Sequence, residues 1–149
     1  MPYTKVTIHA VWGTKNRFQF LTSEIRSKII THIKENAAAK GIYIDRLNGY
    51  TDHLHCLFNL NADMSLSKAI QLIKGESAFW LNKQRITSSR FEWADEYFAV
   101  SVSESAVGKV RSYIEGQEEH HKKVSFAEEY RSFLSKHPIQ VETEGQRLR

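Results

Sequence analysis

Residues 42–60 read IYIDRLNGYTDHLHCLFNL, two strand-forming runs at 42–48 and 53–60 on either side of Gly49, Tyr50, Thr51 and Asp52. A connection that short between such runs predicts an antiparallel hairpin. In the second run Leu54, Cys56, Phe58 and Leu60 take every other position. The two-residue period of a strand therefore turns them to one face, the core, and turns His53 and His55 together to the other. Cys56, on the core face, is expected to be inert.

The hairpin sets the frame for the rest. Upstream, residues 4–12 alternate Thr4, Val6, Ile8, Ala10 and Trp12 with Lys5, Thr7 and His9, the pattern of a half-buried first strand. Thr22 and Ser23 offer N-caps to a helix whose Ile25, Ile29, Ile33 and Ala37 recur every four residues until Gly41 stops it. Downstream, Ser65 caps a helix with Leu66, Ala69, Ile70, Ile73, Ser77, Trp80 and Leu81 on one stripe. Phe98, Val100 and Val102 then mark a fourth strand. Ser103 or Ser105 caps a third helix carrying Val107, Val110 and Ile114, and residues 125–135 form a short last helix. The order β-α-β-β-α-β-α predicts an α+β fold: a ferredoxin-like split β-α-β antiparallel sheet, with an additional C-terminal helix carrying Tyr113.

One domain is expected over residues 1–136, followed by a flexible, mixed-charge C-terminal tail at 137–149. Of the 149 residues, 41% are hydrophobic and 26% charged, close to soluble globular averages. No apolar run approaches a membrane span. The first twenty residues lack a secretory h-region and Cys56 is alone, so a cytoplasmic address is expected and a cysteine-rich zinc framework is excluded. The net charge is +4. Residues 65–90 hold Lys68, Lys74, Lys83, Arg85 and Arg90 against Glu76 alone, which accounts for the whole excess. That segment reads either as a solvated helix face or as a phosphate-contacting surface.

Two imidazoles two residues apart on a strand project about 7 Å apart at Cα and can converge on one cation. Tyr113, Gln117 and His120 are spaced i, i+4, i+7 and share one stripe of a helix, offset from its inward-facing valines. A hydroxyl nucleophile one turn from an oxygen ligand, in a chain with paired imidazoles, suits metal-assisted attack on a phosphodiester.

His53-Leu54-His55 followed by Tyr113-Ile114-Glu115-Gly116-Gln117 resembles the HUH-type single-tyrosine transposases, which include the insertion-sequence single-strand transposases and the REP-associated tyrosine transposases. Residues 11–17 (VWGTKNR), 72–77 (LIKGES) and 97–102 (YFAVSV) resemble further blocks of that family, so the likeness spans about residues 3–122. The resemblance implies that His53, His55 and Gln117 hold one divalent cation, Mg2+ or Mn2+, and that Tyr113 is the catalytic nucleophile. It further implies cleavage and rejoining of single-stranded DNA through a 5′-phosphotyrosine intermediate, at sites flanked by imperfect hairpins, by a homodimer. A free tyrosine is a weak nucleophile at neutral pH, so the cation, a nearby lysine or a water-relayed base is expected to favour the phenolate. Lys15, Arg17, Lys68, Lys74, Lys83 and Arg85 are the candidate DNA contacts, with bases stacking on an aromatic such as Trp93. Asp52 is either a turn residue or a partner of a metal-bound imidazole. His120 and His121 are candidates for a phosphate contact or a ligand, or simply favour the helix dipole.

Two other functions fit the same residues. One is a non-catalytic ferredoxin-like nucleic-acid-binding protein. The other is a zinc hydrolase using His53, His55 and His120 around a bound water.

Overall fold

The computed structural model describes residues 2–136; the tail expected at 137–149 lies outside the described residues. Four strands, β1 (Thr7–Gly13), β2 (Ile44–Gly49), β3 (His53–Asn59) and β4 (Phe98–Ser101), form an antiparallel sheet in the order β2-β3-β1-β4. Helix α1 (Ser23–Ala39) connects β1 to β2, and α2 (Leu66–Lys83) connects β3 to β4. This is the split β-α-β arrangement expected from the hairpin. The register sets Ala10 opposite Cys56 and Val11 opposite His55.

Local signals explain the helices. Thr22 Oγ1 accepts from Ile25 N and Ser65 Oγ accepts from Lys68 N, so both N-termini are capped by the residues the sequence offered. Gly41, at φ +76°, takes the left-handed conformation that releases the chain from α1. The α1 and α2 stripes pack against Ile8, Ala10, Trp12, Leu54, Cys56 and Phe58 on one face of the sheet. That is the main core.

The other face departs from expectation. β1 is buried along its whole length instead of along one side, and it starts at Thr7, leaving Val6 exposed. The reason is a second helical layer. Helix α3 (Val107–Glu115) packs Val107 and Ile114 on Leu57, and α5 (Phe126–Lys136) packs Phe126 on Val11 and Phe98. The sheet is therefore sandwiched between helices, and the two central strands have no open face among the described residues. A single-stranded nucleic acid cannot lie across them in the manner of RNA-recognition sheets.

The third helix also differs. Neither Ser103 nor Ser105 caps it, because a 3-10 turn at Glu104–Ala106 intervenes and Ala106 holds the N-cap position. It stops at Glu115, and after Gly116 a short helix, α4 (Gln117–His121), begins. Tyr113 thus lies on α3, with α4 and α5 still to follow. No helix among the described residues is long and apolar enough to cross a membrane.

Candidate metal centre and nucleophile

β3 places His53 and His55 beneath the second helical layer, and both are fully buried. α3 is tied to β2 by Asn48 Nδ2, which donates to Ile114 O at 3.0 Å, and by the Arg111–Asp45 ion pair at 2.7 Å. Arg111 holds the Asp45 carboxyl below its ordinary range, mainly through that hydrogen bond. Buried Arg26 donates to Leu21 O at 2.9 Å and pairs with Glu118, fastening α4 to α1. These anchors set Tyr113 and Gln117 above the histidines.

Four of the expected site residues meet there. Gln117, fully buried, has Oε1 3.0 Å from His53 Nε2. Asp52 Oδ1 lies 2.8 Å from His53 Nδ1, so Asp52 orients the ring as well as making the turn. Tyr113 Oη lies 3.3 Å from His120 Nε2. The break at Gly116 means that Tyr113 and Gln117 do not share one continuous helix, yet His120 N still bonds Gly116 O at 3.0 Å and the stripe survives the kink.

Two residues are added by the structure. Glu129 of α5 is 3% exposed and its Oε1 lies 3.0 Å from His55 Nε2, 3.4 Å from His53 Nε2 and 3.3 Å from His121 Nε2. His121 Nε2 is also 3.0 Å from Gln117 Oε1. His53, His55, His121 and Glu129 bring their ligand atoms within 4.8 Å of one another. The imidazole beside the strand pair is therefore His121, not the His120 of the zinc-hydrolase reading, since His120 faces Tyr113 and Glu129 Oε2. The sequence did carry a signal for Glu129: it stands three residues after Phe126 and four before Phe133, an acid on the apolar stripe of its helix.

The electrostatics follow from burial and this carboxylate. Burial alone would raise the Glu129 pKa, but hydrogen bonds from His121, His53 and His55 overturn that and hold it ionised. Burial pushes His55 down to about 3 in spite of Glu129. Burial also opposes a charge on His53, where Asp52 and Glu129 prevail and raise it. The Tyr113 hydroxyl donates to Glu129 Oε2, and burial together with that bond pushes the phenol well above its ordinary value. The cation, a lysine and a water-relayed base are the expected aids to the phenolate; the side chain that accepts from this hydroxyl is a carboxylate, which disfavours the free phenolate while offering an acceptor for its proton.

The candidate DNA contacts divide. Lys15, Lys74 and Lys83 line one groove of about 1000 Å³ with Arg90 and exposed Phe79, and Lys15 and Arg17 line a second beside Phe126. Lys68 and Arg85 are exposed but line neither groove. Lys15 also pairs with Glu92 at 2.8 Å, and Lys74 Nζ donates to Ala94 O at 2.7 Å. Trp93 borders the first groove, yet the packing of its indole speaks against a stacking platform. It is 8% exposed, its Nε1 donates to Ser77 Oγ at 2.9 Å, and its ring meets Trp12 and Phe91 edge-on. Cys56 is fully buried and burial raises its thiol pKa, as expected of an inert cysteine.

Against known proteins, residues 2–117 match the family model described as "Transposase IS200 like". The chain is 24% identical over 115 residues to the ISDra2 transposase TnpA of Deinococcus radiodurans, covering 73% of this chain and 81% of that protein. Its fold is similar to the crystal structure of a candidate transposase from Deinococcus radiodurans R1, with a TM-score of 0.63 at 23% identity over 78% of this chain and 93% of the other. It is also similar to a REP-associated tyrosine transposase bound to a REP hairpin, with a TM-score of 0.56 at 17% identity over 83% of this chain and 71% of the other.

Proposed function

This chain belongs to the IS200-like transposase family, and on that premise we propose that it cleaves and rejoins single-stranded DNA at hairpin-flanked sites through a 5′-phosphotyrosine intermediate. The observation that carries this reading is the convergence, within one chain, of the Tyr113 hydroxyl, the paired His53 and His55 and the Gln117 amide oxygen on one buried centre.

Tyr113 Oη attacks the scissile phosphorus as its proton passes to Glu129 Oε2. The bond from phosphorus to the 3′ oxygen breaks, the 3′ end leaves as a hydroxyl once it takes a proton from water, and the 5′ phosphate stays on Oη. Because one phosphodiester has been exchanged for another, a second 3′-OH can attack the phosphotyrosine, return Oη to the enzyme and join strands without an external energy source. His53, His55 and Gln117 would hold a divalent cation, Mg2+ or Mn2+. Their fit to a cation is seen in His53, whose Nδ1 is engaged by Asp52 while Nε2 faces an amide oxygen. When bound, that cation supplies charge neutralisation at the reacting phosphate. Lys15, Lys74 and Lys83 track the backbone along their groove. Hairpin recognition is supported by the relative that holds a REP hairpin. A homodimer would bring a second strand end to the reaction.

The test is incubation with end-labelled single-stranded DNA carrying an imperfect hairpin, in Mn2+ or Mg2+, followed by denaturing electrophoresis. A protein–DNA adduct that needs the cation and disappears in Tyr113→Phe is the expected result. Cleavage without an adduct at any time would instead fit the zinc hydrolase, and tight hairpin binding with neither cleavage nor adduct would fit a binding module.

A further inference from the structure

The two acceptor oxygens at the centre face ring nitrogens whose partners are already decided. His53 Nδ1 bonds the Asp52 carboxylate at 2.8 Å and His121 Nδ1 bonds the Val124 carbonyl at 2.6 Å. Each ring is thus held from behind at Nδ1, which leaves Nε2 as the atom turned into the centre. The two Nε2 atoms face Gln117 Oε1, 3.0 Å from each, and Glu129 Oε1, 3.4 Å from His53 and 3.3 Å from His121. With His55 Nε2 3.0 Å from the same Glu129 oxygen, three imidazole nitrogens and two oxygens gather in one buried pocket, the arrangement a bound cation takes.

The spacing suits a metal ion. Donors about 2.1 Å from a shared ion lie about 3.0 Å apart at right angles and about 3.4 Å apart at tetrahedral angles. All five separations among His53 Nε2, His55 Nε2, His121 Nε2, Gln117 Oε1 and Glu129 Oε1 quoted above fall between 3.0 and 3.4 Å. The carboxylate and carbonyl behind the rings are the supports that metal-binding histidines use to fix their tautomer.

We infer that Glu129 and His121 are metal ligands in this protein, completing with His53, His55 and Gln117 a five-donor centre that selects a transition-metal cation over Mg2+. The inference rests on the proposed function only for the presence of a cation. Three imidazole nitrogens favour Mn2+ and its heavier neighbours. Mg2+ holds its water shell tightly, and a centre whose donors are this deeply buried gives that shell little room. Both added ligands lie beyond residues 2–117, the segment that matches the family model.

The test is Mn2+ binding by the full chain, followed through the EPR signal of free Mn2+ and repeated in a hundredfold excess of Mg2+, for the wild type, Glu129→Gln, His121→Gln and His55→Ala. Circular dichroism in EDTA checks that each is folded. The expected result is Mn2+ retained against Mg2+ by the wild type, and a loss of affinity of tenfold or more in both Glu129→Gln and His121→Gln. Wild-type affinity in folded Glu129→Gln and His121→Gln, with loss only in His55→Ala, would overturn the inference and leave the proposed function standing. Displacement of Mn2+ from the wild type by Mg2+ would overturn the selectivity. Five-ligand binding of Mn2+ without any DNA adduct would sink the proposed function and leave this centre intact.

Discussion

The Tyr113 hydroxyl donates to the Glu129 carboxylate, a partner sixteen positions further along the chain and on a different helix. The hydroxyl and its carboxylate acceptor are thus paired by the docking of α5. Replacing the carboxylate by an amide in Glu129→Gln removes the charge that opposes the phenolate and the base that takes its proton. The Tyr113 phenol pKa should come down toward 10, read as the difference in phenolate absorbance between this variant with and without Tyr113→Phe. Adduct formation at neutral pH should fall by about a hundredfold or more. A wild-type rate in the variant would remove Glu129 from the reaction.

Metal-free stability should fall as the solution is acidified. The pKa of His55 is near 3 in the folded chain against 6.5 unfolded, so between those values the unfolded chain binds the extra proton, and stability drops as pH falls through that window. The size is on the order of 5 kcal/mol for a fully buried ring. Glu129, held ionised in the fold, adds a loss below its ordinary carboxylate value. His53, raised in the fold, acts oppositely: its contribution is present below 6.5 and is lost as pH rises above it. Thermal unfolding in EDTA from pH 8 to pH 4 should show Tm declining at the acid end, with a shallower decline in His55→Gln.

Gly13→Ala should loosen the site without touching a ligand. A Cβ at that position would sit 2.7 Å from Phe126 Cε2 and 3.3 Å from the Asp52 carbonyl, and Phe126 stacks flat on His53 with centroids 4.2 Å apart. The Phe126 ring must move and α5 with it. Amide exchange in α5 should accelerate and Mn2+ affinity should drop, while α1 and α2 keep their protection.

Trp93→Phe should damage the fold and spare DNA affinity. The substitution removes the hydrogen bond to Ser77 and leaves a gap beside Trp12 and Phe91, a cost of about 2 kcal/mol in urea unfolding. Hairpin binding that collapsed with stability unchanged would restore the indole as a DNA contact.

Lys83→Gln should weaken single-stranded DNA binding uniformly across sequences and lower the slope of log K against log salt by roughly 0.7, the signature of one lost phosphate contact. Lys68→Gln, outside both grooves, should leave the slope where it is.

Much of the site was legible because its elements obey local periods. The two-residue period of β3 predicted that His53 and His55 share a face, and helical spacing put Tyr113 near Gln117 and His120. The polar residues Thr7 and His9 made β1 read as half-buried, since a residue's neighbours in sequence do not reveal that a helix more than a hundred positions later will cover it. Trp93 was misplaced for the same reason: an aromatic in a loop reads as available until its Ser77 partner is known.

What the sequence by itself determined was the order of the strands and of the helices joining them, the split β-α-β topology, the caps of α1 and α2 and the strand that pairs two imidazoles, all governed by contacts among nearby residues or by hydrophobic period. What only the tertiary structure decided was the lid of the site. The return of α5 onto the far face of the sheet, driven by burial of Phe126 against Val11 and Phe98, carries Glu129 to the Tyr113 hydroxyl and into a ring of histidines. That meeting joins β3, α3, α4 and α5, so no local pattern encodes it, and it is fixed by the packing of apolar surfaces distant in sequence.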